Sequence, residues 1–285
     1  MPVPIDSPNN ELRDACRIRE AILSRINSSA AKTTQSMLEK ELVGRFGLTR
    51  AVVRNAIRCL LAEGVLGYSY EHGCSFLRPA CNRAVHVGRH LVLTPPGVHY
   101  LPATGEVVIQ IMPGAAFGSG EHPTTRLALR AIERVLKGSP WFSFKSTATI
   151  LDVGTGSGVL LIAAVCLGAR SGVGIDIDAC ARFEAQENIR LNGIEDRAII
   201  SDAGVEDLSR PVSLLSANLR VPTLKQLAIH LARLCLPGGA MVLSGLHGEE
   251  LPDLLAVFQA NRLDCRWQVC EQDWVAVVLQ NKKQV

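Results

Sequence analysis

Asp152-Val153-Gly154-Thr155-Gly156-Ser157-Gly158, with Asp176-Ile177-Asp178 beyond it, decides how this chain reads. Ile150 and Leu151 lead in as a short apolar strand, the glycines let the backbone turn tightly against a ligand, and Val159 to Cys166 continue as an apolar helix. Strand, glycine loop and helix N-terminus in that order form a nucleotide cradle. Val173 to Ile175 read as a second buried strand. Asp176 then stands at its carboxyl end, 22 residues after Gly154, where ribose hydroxyls are met in a βαβ unit. A dinucleotide fingerprint is spaced Gly-x-Gly-x-x-Gly, whereas this loop is Gly-x-Gly-x-Gly with an acid two places before it.

Outward from the loop, strands and helices alternate. Ile150 to Val153, Val173 to Ile177, Ala198 to Ser201, Leu214 to Ala217, Ala240 to Ser244 and Trp274 to Leu279 are apolar runs of strand length separated by helical patterns. That order predicts an α/β fold with a Rossmann-like, doubly wound sheet. Asp202 and Ala217-Asn218 fall at the ends of two further strands, where an adenine amino group and the reacting groups of such sheets are met.

Bulk properties narrow the class. The chain has 285 residues, 47% of them hydrophobic, which is enough for two domains with substantial cores. The longest apolar run, Val159 to Leu167, is far below the roughly 20 residues that span a bilayer. No basic segment followed by an apolar run opens the sequence, so the expectation is a soluble cytoplasmic protein without membrane contact. Nine scattered cysteines without a Cys-x-x-Cys pair argue against zinc and against a disulfide framework, and Cys59, Cys166 and Cys235 read as core thiols.

The net charge of +3 is concentrated at the start: residues 1 to 78 carry eleven Lys or Arg against eight Asp or Glu. Residues 11 to 27 have helical spacing, stopped by Asn27-Ser28-Ser29. Met37 to Phe46 read as a short helix and Gly47 as a turn. Thr49 caps a second helix that runs to about Glu63 and ends at Gly64. Val65 to Tyr70 and Cys74 to Leu77, joined through Glu71-His72-Gly73, read as a hairpin. Helix-turn-helix plus hairpin is a winged helix. The series Leu42, Phe46-Gly47-Leu48-Thr49-Arg50, Val53-Arg54-Asn55-Ala56-Ile57, Leu60, Gly64-Val65 and Gly73 resembles the winged helix of GntR-type regulators. Arg50, Arg54 and Arg58 recur on one helix face, a stripe suited to DNA or RNA phosphates and base edges, or equally to a solvated face paired with acids or a protein-docking module.

The Gly-x-Gly-x-Gly form with its preceding acid is typical of S-adenosylmethionine binders. Ahead of it stands Gly114-Ala115-Ala116-Phe117-Gly118-Ser119-Gly120-Glu121-His122-Pro123-Thr124-Thr125, before a helix that starts near Arg126. The two motifs together resemble the PrmA family of ribosomal-protein methyltransferases, which modify amines of large-subunit protein eleven with S-adenosylmethionine. Further stations run from Val87-Gly88 through Gly174-Ile175-Asp176-Ile177-Asp178, Asn188, Asn192-Gly193, Ala217-Asn218-Leu219, Pro237-Gly238-Gly239 and Leu243-Ser244-Gly245 to Asp273-Trp274-Val275. The resemblance implies a class I fold with a seven-stranded-type sheet, methyl transfer to a lysine or N-terminal amine of a protein, and no metal. It implies cofactor contacts from Thr125, Gly154, Gly156, Asp176, Asp202 and Asn218, with Asn218 also the catalytic choice. Thr124 and Thr125 alternatively cap the helix, Phe117 covers ligand or fills core, His122 shapes its loop, Asp178 caps a helix, and Asp273 and Trp274 close the sheet edge.

The expected division is residues 1–78 as winged helix, 79–115 as a linker with short strands around Pro95-Pro96-Gly97, and 116–285 as the methyltransferase domain. The chain departs from the family in five ways, of which two are that Pro95-Pro96-Gly97 lacks the family's usual tryptophan and that Met112 replaces an acid before Pro-Gly. A winged helix stands in place of the family's N-terminal recognition module, Glu121 is charged where an uncharged residue is usual, and Arg220-Val221-Pro222 alters the stretch after the motif asparagine. These departures bear on the acceptor, so the expected partner is a protein, ribosomal or associated with nucleic acid. Two other classes stand beside it: nucleic-acid methylation, weakened because Asn218-Leu219-Arg220-Val221 is not Asn/Asp-Pro-Pro-Tyr, and a regulator that senses S-adenosylmethionine without catalysis.

Overall fold

The computed structural model describes residues 8–28, 32–63, 65–71, 74–79, 83–112, 118, 120 and 122–282. The chain divides into two compact units, Met1–Arg83 and Ala84–Val285.

In the first unit, α1 (Pro8–Ser28), α2 (Gln35–Phe46) and α3 (Arg50–Ala62) are followed by the antiparallel pair β1 (Leu66–Glu71) and β2 (Cys74–Pro79). Thr34 and Thr49 start the second and third helices, their hydroxyls accepting from Met37 N and Val52 N, and Gly47 ends α2 at φ +66°. Ile18, Ile22, Leu38, Leu42, Val53, Ile57, Leu60, Leu66 and Leu77 pack into one core. Ser29, Gly64, His72 and Gly73, read above as stops and turn, lie outside the described residues. Cys59 is exposed rather than a core thiol, because α3 turns Ile57 and Leu60 inward and leaves position 59 between them facing solvent.

The segment expected as a linker belongs from Ala84 onward to the second unit. There β3 (Val85–His86), β4 (Leu91–Thr94) and β5 (Val107–Gln110) form a small sheet, with β4 wholly buried. The Glu133 carboxylate holds its turn, accepting from Arg89 N at 3.0 Å, His90 N at 2.6 Å and His90 Nδ1 at 2.6 Å. Glu133 lies on α4 (Pro123–Glu133), so the small sheet is tied to the helix that follows it.

The large sheet contains β6 (Thr149–Val153), β7 (Ser171–Ile175), β8 (Ala198–Ser201), β9 (Val212–Asn218), β10 (Cys235–His247), β11 (Leu263–Glu271) and β12 (Trp274–Asn281). Their spatial order is β11-β12-β10-β9-β6-β7-β8. β8, β7, β6, β9 and β10 are parallel, and β12 runs antiparallel to both of its neighbours. The helices α5 (Val159–Cys166), α6 (Ala179–Leu191), α7 (Val221–Leu234) and α8 (Leu251–Ala260) connect them. Val159 to Val165 are buried all round, which is why α5 is apolar on every face instead of amphipathic.

This is the expected α/β sheet with the seven strands that the resemblance implies, one more than the six read as apolar runs. β11 was not among the strands read from the sequence: those were continuous apolar runs, whereas here Leu263, Cys265, Trp267 and Val269 alternate with polar residues, the pattern of an edge strand. Its presence places β12 inside the sheet, so Trp274 does not close the edge. No helix among the described residues is long and apolar enough to cross a membrane.

Candidate functional site

Parallel strands end on one edge of the sheet, and the residues singled out in the sequence gather there. Val153 is paired with Ile175 and with Ala217, Ile175 with Ser201, and Asn218 with Ser244. The residues that follow β6, β7 and β8, namely Gly154, Asp176 and Asp202, therefore stand side by side with Asn218, the last residue of β9. Asp176, Gly154 and Asn218 are half-buried, and Asp202 is exposed.

The glycine loop is fastened through its own amides. Gly154 N and Thr155 N both donate to Ile175 O, at 2.9 and 3.0 Å, and Gly158 N donates to Thr155 O at 2.9 Å. Gly156 N donates to Asp176 Oδ2 at 2.9 Å, while Asp178 N donates to Asp176 Oδ1 at 3.0 Å. Gly154, Gly156 and Gly158 have φ of +70°, +55° and +80°, a conformation that favours glycine. A loop whose amides are spent this way offers close approach and carbonyl oxygens, which suit an ammonium group better than a phosphate.

Beneath the loop lies a buried carboxylate. Asp152 has no exposed surface, and it accepts from Ser216 Oγ at 2.6 Å and Thr155 Oγ1 at 2.7 Å. Burial pushes its pKa up to about 6, against the pull of those hydroxyls. Ser216 was missed in the sequence because a lone serine inside Leu214-Leu215-Ser216-Ala217 reads as strand filler. Its signal was its place in that run, two residues before Asn218.

The approach to α4 differs from the expectation in one respect. His122, not either threonine, is the N-cap: Thr124 N donates to its Nδ1 at 3.3 Å. A ring that uses Nδ1 as acceptor carries its proton on Nε2, which makes His122 a shaper of its loop. Burial and the nearby Arg126 hold its pKa below the ordinary histidine value. Thr124 O accepts from Ser244 Oγ at 3.0 Å, which joins the start of α4 to the sheet edge. Thr125 is buried, and its Oγ1 has no hydrogen-bond partner among the described residues. Arg126 donates to Gly120 O at 3.4 Å and pairs with Glu271 at the end of β11. Gly114 to Phe117, Ser119 and Glu121 lie outside the described residues.

Other expectations resolve in place. Asp178 caps α6, its Oδ1 accepting from Cys180 N at 2.9 Å. Trp274 lies against the His247 ring, with centroids 3.9 Å apart, and meets His122 edge-on at 5.1 Å. Cys235 is buried and its thiol is pushed up to about 12, while Cys166 is only partly covered. Among the described residues no group of His, Cys, Asp and Glu could hold a metal. Arg50 and Arg58 are exposed on α3, but Arg54 is committed to Glu39, Nε to Oε1 at 3.0 Å and Nη2 to Oε2 at 3.1 Å.

Residues 82–282 match the family described as Ribosomal protein L11 methyltransferase (PrmA). The chain belongs to the PrmA family. Among curated PrmA-family proteins, the Ribosomal protein L11 methyltransferase of Geobacter sp. (strain M21) is 42% identical over 181 residues, 64% of this chain and 58% of that protein. The one from Citrifermentans bemidjiense is 40% identical over 181 residues, with the same two shares. The crystal structure of ribosomal protein L11 methylase from Lactobacillus delbrueckii subsp. bulgaricus superposes with a TM-score of 0.62 at 30% identity, covering 70% of this chain and 98% of that one. This PrmA-family chain thus spans 58% of the length of those two curated relatives. The matched region begins at residue 82, so the first unit lies almost wholly outside it.

Proposed function

We propose that residues 84–285 form an S-adenosylmethionine-dependent N-methyltransferase whose acceptor is a protein amine, a lysine side chain or an N-terminal amine. The observation that carries this reading is the glycine loop with its amides donated to Ile175, Asp176 and Thr155, a cradle for an ammonium-bearing ligand instead of a pyrophosphate. The buried, unpartnered Thr125 Oγ1 supports it, since a hydroxyl left unsatisfied costs about 1–3 kcal/mol unless a ligand pairs with it. The names carried by the family and its relatives point to the same chemistry.

When bound, S-adenosylmethionine supplies a sulfonium methyl group as electrophile. Gly154 and Gly156 admit its amino-acid end, and Asp176 accepts from the ribose hydroxyls while the Gly156 amide keeps its carboxylate in place. Asp202, at the neighbouring strand end, accepts from the adenine amino group. Ile177 is 99% exposed between Asp176 and Asp178, an aliphatic side chain suited to the flat face of a base. Thr125 donates its free hydroxyl.

A lysine amine is neutral in only about one molecule in 2,500 at pH 7. Desolvation at the sheet edge favours the neutral form, and Asn218 accepts a hydrogen bond without a negative charge that would hold the amine as ammonium. Bound S-adenosylmethionine would supply the methyl group and leave as S-adenosylhomocysteine, and the part left to Asn218 is to hold the neutral amine facing it.

The first unit, three helices and a hairpin, is read as a winged helix of GntR type that brings in the acceptor, itself ribosomal or associated with nucleic acid. Arg50 and Arg58 are the side chains it offers to a polyanion, Arg54 being held by Glu39. The test is a cell extract incubated with the full chain and methyl-labelled S-adenosylmethionine. Label on lysine or N-terminal amines by mass spectrometry is expected; label confined to RNA or DNA, or no transfer at all, overturns the proposal.

A further inference from the structure

Asn188 lies on α6 with 1% of its surface exposed and bonds in two directions. Its Nδ2 donates to Ser157 O at 2.9 Å, and its Oδ1 accepts from Met112 N at 2.9 Å. The peptide that joins Ser157 to Gly158 is therefore held at both ends, since Gly158 N is already bound to Thr155 O. Ser157 Oγ donates to Gly118 O at 3.1 Å. Met112 and Gly118 are thus both fastened to Ser157, one through Asn188 and the other directly.

The packing requires this closeness. A Cβ at Gly118 would lie 2.5 Å from Ser157 Oγ, and one at Gly158 would lie 3.2 Å from the Ala185 Cβ. Ala185 and Asn188 are three residues apart on one face of α6, so the small residue admits the loop and the amide clamps it. One turn earlier on the same helix, Arg182 Nη1 donates to Asp176 O at 2.9 Å. A single helix therefore reaches both ends of the donor site. A carboxamide carries its donor and its acceptor on two separate atoms, so Nδ2 and Oδ1 serve Ser157 O and Met112 N at the same time. Aspartate would set an acceptor against the Ser157 carbonyl.

We propose that Asn188 is a positioning residue for donor binding: it fixes the orientation of the Ser157–Gly158 peptide and holds Met112 in register with the glycine loop. The inference rests on the donor site proposed above. Loss of a buried hydrogen bond at such a point corresponds to roughly a tenfold or larger loss of affinity.

Titration calorimetry of the full chain with S-adenosylhomocysteine tests it, comparing wild type with Asn188→Asp and Ser157→Ala, each variant's thermal midpoint being measured alongside. Both variants are expected to raise Kd, Asn188→Asp about tenfold or more, at a temperature where each remains folded. A lower midpoint with unchanged Kd would mean a merely structural role and overturn the inference. Should Asn188→Asp fail to fold, Asn188→Ala, which removes both bonds without setting a charge against the Ser157 carbonyl, decides in its place. Wild type that does not bind S-adenosylhomocysteine removes the donor site and this inference together, whereas wild-type binding matched by both variants removes only the inference.

Discussion

The Gly156 amide donates to Asp176 Oδ2 across 2.9 Å, so the carboxylate expected to meet a ribose is also the anchor of the glycine loop. One side chain thereby couples the two halves of the cradle. Asp176→Ala removes the ribose acceptor and frees the loop, and each charge-assisted bond contributes roughly 1.5–3 kcal/mol. Affinity for S-adenosylhomocysteine should fall by well over tenfold, read by calorimetry. An unchanged Kd would show that the donor binds elsewhere.

Asp152 makes stability depend on pH in an uncommon direction. Its pKa is raised from 3.8 to about 6, so between those values the folded chain binds more proton than the unfolded one. Stability from this group is greatest below about pH 4 and falls as pH rises to about 6, by about 3 kcal/mol over the interval. Urea unfolding of wild type and Asp152→Asn at a series of pH values checks this. The wild-type minus variant difference should decline across that window and level off above it; a flat difference would contradict the assignment.

Gly88 is required by volume. A Cβ there would lie 2.0 Å from Glu133 Oε2, the carboxylate that holds Arg89 and His90. Gly88→Ala should cost on the order of 2–3 kcal/mol, seen as a lower denaturant midpoint.

In the first unit, the Arg54 guanidinium and the Gln35 amide bond the Glu39 carboxylate and hold its pKa below the ordinary value of 4.5. Its contribution is therefore present above about pH 4.5 and lost as pH falls through the lowered pKa. Arg54→Ala should lower the thermal midpoint at pH 7 and reduce that acid sensitivity. An Arg54→Ala chain as stable as wild type at every pH would return Arg54 to the surface stripe.

The placing of the candidate residues at neighbouring strand ends was legible because its signals are local. The Gly-x-Gly-x-Gly spacing, an acid 22 residues on and an asparagine at a strand end are set by neighbouring residues and by strand length. The capping roles of Thr49 and Asp178 were equally readable, since each cap bonds within its own first turn. β11 was not, because Asp264, Arg266 and Gln268 fall between its apolar residues, and the other strands were marked by continuous apolar runs. Nor was Cys59, where a single position on a helix decides between core and solvent.

By itself, the sequence determined the βαβ cradle and the alternating α/β order, since backbone turns and apolar periodicity act over a few residues, while the cofactor class came from its resemblance to a family. Only the tertiary structure decided that the loop amides are spent on Ile175 and Asp176, that Ser216 holds Asp152, that Glu39 claims Arg54, and that Asn188 ties Met112 to Ser157. Those pairs lie far apart along the chain or cross between elements. Their geometry follows from which strand ends the sheet sets side by side, and no periodicity along the sequence records that order.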